Sequence, residues 1–152
     1  MNLGTTQTRD RAAAFATFDV VVVGGGPAGS TAATDLASEG LSVLLLDKAG
    51  RIKPCGGAIP PQAVKEFGIP DSLIVARVTA ARMVSPASRS VDMPIENGFV
   101  AMVDREHFDE WLRQRAATAG ARRVDGHFDR LSRDTDGTAL VHYRLAGEGH
   151  AS

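Results

Sequence analysis

The chain has 152 residues, 43% of them hydrophobic, and a formal net charge of −1, which suits one domain with a real core. Near-neutral charge, with no Lys/Arg stripe interleaved with aromatics, argues against nucleic acid as a partner. Cys55 is the single cysteine, so an intrachain disulfide is excluded and a reducing, cytoplasmic compartment is expected; the polar start and the lack of any apolar run near about 18 residues argue against a signal peptide and a spanning helix.

Residues 1–17 read as a flexible tail with no assigned function. An apolar, β-branched strand, Val20 to Val23, then runs straight into Gly24, Gly26 and Gly29, a helix opens at Pro27, and a second apolar strand from Val43 ends on Asp47. Strand, G-x-G-x-x-G, helix, strand and acid, in that order, are what a dinucleotide pyrophosphate requires. Gly24 permits the tight turn, Gly26 lacks the Cβ that would hold the pyrophosphate off, and Gly29 lets the helix lie close to the sheet. The phosphates then meet unpaired N–H groups at the helix start, and Asp47 can accept from a ribose 2′-OH. Gly40 is placed to close the helix. A plain tight turn would explain glycines alone; it does not explain strand, helix and acid together.

The next stretch, Arg51 to Pro61, reads RIKPCGGAIPP and is expected to be a loop. Gly56 and Gly57 permit close backbone approach to a ligand and Lys53 adds a positive charge, although by composition alone a surface loop with an incidental thiol is the simpler reading. Pro61 to Phe67 suggests a short helix stopped by Gly68. Val78 to Ser85 and Ser90 to Met93 read as a hairpin turning around Pro86 to Arg89, and Phe99 to Val103 as a further strand.

A well-marked helix follows. Asp104 suits the N-cap, Val103 and Phe108 form a hydrophobic staple, Phe108, Trp111, Leu112 and Ala116 share one face, and Gly120 is the stop. Arg105 sits at the helix start, where the dipole disfavours a cation, which points to a ligand anion as its partner. Val124 to Leu131 and Ala139 to Leu145 read as strands joined by a turn through Asp134, Asp136 and Gly137. A calcium loop is the weaker reading there, because Tyr143 stands where a bidentate Glu is needed. His107, His127, His142 and His150 lack metal-ligand spacing, so no metal is expected. Arg122 and Arg123 read as a solvated strand start.

Taken together with the glycine fingerprint, KPCGGAIPP and VDREHFDEWL (Val103 to Leu112) carry a resemblance. Phe18 to Gly120, roughly two-thirds of the chain, resembles the N-terminal part of the FAD-dependent geranylgeranyl reductase family, and the two stretches look closest to its chlorophyll and bacteriochlorophyll branch. The resemblance implies an α/β, Rossmann-like FAD-binding fold of the aromatic-hydroxylase type, doubly wound and incomplete over 18–152, with antiparallel strands at about 75–103 beginning a substrate-facing layer. It implies FAD as cofactor and NADPH as reductant, saturating the C=C bonds of a geranylgeranyl group to phytyl on (bacterio)chlorophyll or the free diphosphate.

Carried over by position, Gly24, Gly26, Ala28 and Gly29 would hold the pyrophosphate and Asp47 the adenosine ribose. Cys55, Gly56 and Ala58 would lie along the flavin end with Arg105 reaching the cofactor, and Cys55 is the candidate catalytic group. Most relatives have Glu where this chain has Asp47, one methylene shorter. The family's second FAD motif, a Gly-Asp-Ala segment, does not occur here, so the downstream half of the enzyme is an expected partner and the chain alone is expected to be inactive. An isoprenoid or tetrapyrrole substrate implies peripheral contact with a photosynthetic or inner membrane. The rivals are a flavin-dependent hydroxylase or halogenase, and a non-catalytic FAD-binding fragment.

Overall fold

The computed structural model describes residues 16–48, 54–96 and 98–147. Strand β1 (Val20–Val23) leads through Gly24 into helix α1 (Pro27–Ser38), and β2 (Val43–Asp47) returns parallel to β1 with Val20 opposite Val43. Two positive-φ glycines make this unit possible: Gly24 at φ 109° turns the chain off β1, and Gly40 at φ 86° follows the C-cap of α1. β2 is the central strand. Its Val43, Leu44, Leu45 and Leu46 are all buried, as expected of a parallel strand covered on both faces, and each contributes roughly 1.5–3 kcal/mol of burial.

On the far side of β2 lies β8 (Arg122–Arg133), also parallel, and β9 (Ala139–Leu145) folds back antiparallel on β8 to give the order β1-β2-β8-β9. The pairing of β8 with β9 shifts register between Phe128 and Arg130, an irregularity of the kind a β-bulge makes. Helix α3 (Arg105–Thr118) packs beside α1: Ala33, Ala37, Val43, Leu45, Ala116 and Ala121 form one buried cluster. Val43 and Leu45 project from the same face of β2, so both helices cover one face. The doubly wound expectation is therefore corrected, among the described residues, to a single helical layer on a mixed sheet.

Three short strands form a second, antiparallel sheet in the order β3-β7-β4: β3 (Ala58–Ile59), β4 (Ile74–Val78) and β7 (Val100–Val103). Between β3 and β4 lie α2 (Pro61–Glu66) and a 3-10 turn, Asp71–Leu73. β5 (Ala80–Val84) and β6 (Ser90–Pro94) make a separate hairpin. The expected strand Val78 to Ser85 is thus two strands. Val78 belongs to β4 and pairs with Val100, while Ala80 begins the hairpin opposite Pro94. The loop expected over Arg51 to Pro61 contains β3, too short for any alternation to reveal. The other late strands and helices lie where the sequence places them, within two residues at each end.

Asp104 caps α3 by accepting from the Glu106 N–H at 2.9 Å, and Val103 and Phe108 meet in a second buried cluster with Ile69 and Leu112. The expected turn at Asp134 to Gly137 joins β8 to β9, with Gly137 at φ 90°. Residues 1–15, the loop segment that includes Lys53, and His150 lie outside the described residues.

Candidate functional site

The glycine turn divides its labour more finely than the spacing suggests. A Cβ on Gly29 would stand 1.9 Å from the Gly24 carbonyl oxygen, so this glycine is required by helix-to-strand contact. At Gly26 a Cβ would meet nothing within 4 Å, although this residue is the N-cap of α1. No side chain caps that helix end. Pro27 has no N–H, and the first intrahelical bond runs from Ser30 N–H to Gly26, which leaves the Ala28 and Gly29 amides as donors. Open space beside uncapped helix-start amides is the cradle that a pyrophosphate fits.

Gly25, which the fingerprint treats as a free position, is the most constrained of the group. Its Cβ would lie 2.9 Å from Asp47 Cβ and 3.0 Å from Arg113 Cδ. The Gly25 N–H donates to Asp47 Oδ1 at 2.9 Å, and Arg113 Nη1 donates to Asp47 Oδ2 and to the Gly25 carbonyl, both at 3.2 Å. Asp47 therefore stands at the end of β2, beside the glycine turn, with lone pairs left on both oxygens for a diol. Behind Arg113, Glu110 accepts from its Nε at 3.0 Å and also pairs with Arg123. Arg123 is thus engaged within the fold rather than free for phosphate.

The remaining predicted residues gather elsewhere. Pro27, Ala28, Cys55, Ala58 and Arg105 line a cavity of about 570 Å³, walled by Ile69, Phe108 and Leu112. Apolar walls with a few polar groups at one end suit a planar ring system with a polar tail. Of the predicted set, Ala28, Cys55, Ala58 and Arg105 line this cavity; Gly24 and Gly26 belong to the turn before α1, Gly29 to the first turn of α1 and Asp47 to the end of β2, and Gly56 is exposed in the loop. Gly57 is there for the fold. At φ 66° its Cβ would lie 2.1 Å from the Val103 carbonyl oxygen, so its close approach is to β7 rather than to a ligand.

Arg105 has a protein partner. Its Nε and Nη2 each donate to Asp109 at 2.8 Å, and Asp109, one turn along α3, is buried. The awkward dipole position is therefore offset by a carboxylate within the same helix, which corrects the inference that a ligand anion is needed. Asp109 raises the guanidinium further above its ordinary pKa, so Arg105 enters the cavity as a fixed, neutralised set of N–H donors. The Cys55 thiol is exposed and held below the ordinary thiol pKa, first by the Gly57 backbone N–H and next by the Arg105 guanidinium.

Sequence reasoning passed over Gly25, Asp109 and Arg113. Asp109 was signalled by its i, i+4 spacing from Arg105. Arg113 has a local partner in Glu110, but its link to the site had no local signal, since Asp47 and Gly25 lie 66 and 88 residues away.

With this geometry in view, the sequence profile described as pyridine nucleotide-disulphide oxidoreductase matches residues 18–131. The chain is 64% identical to the geranylgeranyl diphosphate reductase of Rhodobacter capsulatus, over 82% of this chain and 32% of the relative. It is 41% identical to the chloroplastic geranylgeranyl diphosphate reductase of Arabidopsis thaliana, over 82% of this chain and 28% of the relative. Among solved structures it is similar to a geranylgeranyl bacteriochlorophyll reductase-like protein from Thermoplasma acidophilum, with a TM-score of 0.76 and 30% identity over 86% of this chain and 36% of the other. A flavin-dependent brominase shares the fold with a TM-score of 0.69 at 22% identity, over 85% of this chain and 34% of the other. The chain spans about a third of the length of these curated relatives.

Proposed function

Because the chain belongs to the pyridine nucleotide-disulphide oxidoreductase family, whose FAD-binding fold it shares, we propose that it forms the nucleotide-binding part of an NADPH-driven reductase. That enzyme saturates the C=C bonds of a geranylgeranyl group to phytyl, on (bacterio)chlorophyll or on the free diphosphate. The observation that carries the reading is 64% identity to a geranylgeranyl diphosphate reductase over 82% of a chain that builds both a glycine turn and the Cys55–Arg105 cavity.

When bound, FAD supplies hydride transfer, a chemistry that no side chain of this chain can perform. The residues present fit that group. In this reading the Ala28 and Gly29 amides would hold the pyrophosphate, Asp47 would accept from the adenosine ribose, and Arg105, fixed by Asp109, would donate to the flavin end. Ile69, Phe108 and Leu112 keep water from the apolar part of the cavity. Cys55 lies at its mouth as a thiol of lowered pKa, able to hold or release a proton there.

An isoprenoid tail offers no polar handle, so the rest of its site must be long and apolar and is assigned to sequence downstream. Among the described residues no helix is long and apolar enough to cross a membrane. A substrate of this kind lies in or beside a membrane, and peripheral contact with that membrane is part of the proposal.

The test is incubation of the polypeptide, with and without its downstream sequence, with NADPH, FAD and each tail-bearing substrate, followed by mass spectrometry. The expected product gains hydrogen in two-hydrogen steps, and only with the downstream sequence present. Gain of oxygen or halogen with an unsaturated tail would replace this reading with the hydroxylase or halogenase one. FAD binding with no turnover of any kind in the extended polypeptide would favour the non-catalytic reading.

A further inference from the structure

Resting on the reading of Asp47 as the ribose acid, we infer that Arg113 is a positioning residue for adenosine recognition: it clamps Asp47 to the glycine turn so that a carboxylate on a short side chain is presented in one fixed orientation. Three groups close a ring. Gly25 N–H donates to Asp47 Oδ1, Arg113 Nη1 donates to Asp47 Oδ2, and the same Nη1 donates to the Gly25 carbonyl.

The ring is also a steric fit, because any Cβ on Gly25 would strike both Asp47 and Arg113. Side chains of Asp47 and Arg113 are only 20% and 16% exposed, so water competes weakly for these bonds. Glu110 holds the guanidinium from behind through Nε, which fixes the plane in which Nη1 points. Gly25 immediately precedes the N-cap Gly26, so the clamp ties the acid to the phosphate cradle. A glutamate has one more methylene with which to adjust to a diol. Asp47 lacks it, and the clamp instead fixes the direction in which its carboxylate is presented.

The eight residue steps from Arg105 to Arg113 cover about 12 Å of helix axis. One helix thus addresses both sites, Arg105 in the cavity and Arg113 at the acid.

The test uses the full-length polypeptide and flavin-fluorescence titration with FAD and with its 2′-deoxyadenosine analogue. The unsubstituted protein is expected to prefer FAD by about threefold to tenfold, the worth of one lost hydrogen bond. R113Q is expected to weaken FAD by a similar factor and to erase the preference, D47N to erase it equally, and the double variant to lose no more than either. R113K, which keeps the charge but not the planar fork, should recover part of the preference and also serves if R113Q folds poorly by circular dichroism. A preference retained in full by R113Q or R113K would overturn the inference, since a brace for the fold alone would weaken both ligands alike. Tight FAD binding with no preference in the unsubstituted protein would overturn it while leaving the cofactor reading intact; no FAD binding at all would overturn both.

Discussion

Arg105 and Asp109 face each other one helical turn apart, joined by two hydrogen bonds of 2.8 Å, with side chains only 12% and 9% exposed. The pair converts a cation at the wrong end of a helix dipole into a rigid donor set aimed at the cavity. Removing one partner leaves the other charge poorly solvated. Asp109→Ala should therefore cost about 3–5 kcal/mol of stability, whereas the apolar double substitution Arg105→Met with Asp109→Leu should be far milder. Chemical denaturation of the three proteins decides it: equal losses in the single and double variants would mean that the pair is not buried as described.

The glycine turn allows fold and ligand to be separated experimentally. Gly29→Ala drives a Cβ into the Gly24 carbonyl, a backbone atom with no room to yield, and should destabilise by at least about 1–3 kcal/mol with or without FAD. Gly26→Ala meets only open space, so its cost should stay below about 1 kcal/mol, that of a weaker N-cap, while FAD retention falls. Melting curves taken with and without FAD give the comparison. A Gly26→Ala protein that keeps wild-type FAD affinity would remove the pyrophosphate from this turn.

Much of this site was legible because its rules are local. The β1–α1–β2 unit follows from residues that act on their immediate neighbours: Gly24 by its φ, Pro27 by its missing N–H, and the apolar run of β2 by its burial on both faces. The cap and staple of α3 were legible for the same reason. What escaped was contact between distant segments. Gly25 looks interchangeable in the fingerprint until Asp47 and Arg113 close on it, and Gly57 looks like a ligand-facing glycine until β7 is seen against it. The break at Thr79, where one apparent strand becomes β4 and β5, depends on β7 claiming Val78, and nothing near position 78 announces that.

Acid should unmake one brace of α3 in a defined window. Glu110 is held below the ordinary glutamate value of 4.5, first by Arg123 and then, against the opposing cost of burial, by Arg113. A folded-state value below the unfolded one means that the stabilisation is complete above that ordinary value and is lost as pH falls through the folded value. Glu110 is half exposed, so solvent screening keeps the effect to about 1 kcal/mol or less. Glu110→Gln should lower the melting temperature at neutral pH, with the difference from wild type shrinking as pH falls below the ordinary glutamate value and in high salt. A difference that stays constant across that range would assign the loss to packing instead of charge.

The Cys55 thiol offers the sharpest reading of the cavity's electrostatics. Its pKa lies below the ordinary 9.0, and the first cause, the Gly57 N–H, belongs to the backbone and survives any side-chain change. Arg105 is the second cause and Asp109 opposes it, so the two substitutions should move the thiol in opposite directions. Arg105→Met should shift the alkylation midpoint part of the way back up, whereas Asp109→Asn, by removing the negative charge and freeing the guanidinium, should shift it further down. Because only the thiolate reacts, the iodoacetamide rate as a function of pH follows the midpoint directly. FAD should slow the reaction if it occupies the cavity that Cys55 lines. A midpoint at the ordinary thiol value, or one that Arg105→Met leaves in place, would mean that Cys55 lies outside the reach of this guanidinium and would remove it from the cavity's chemistry.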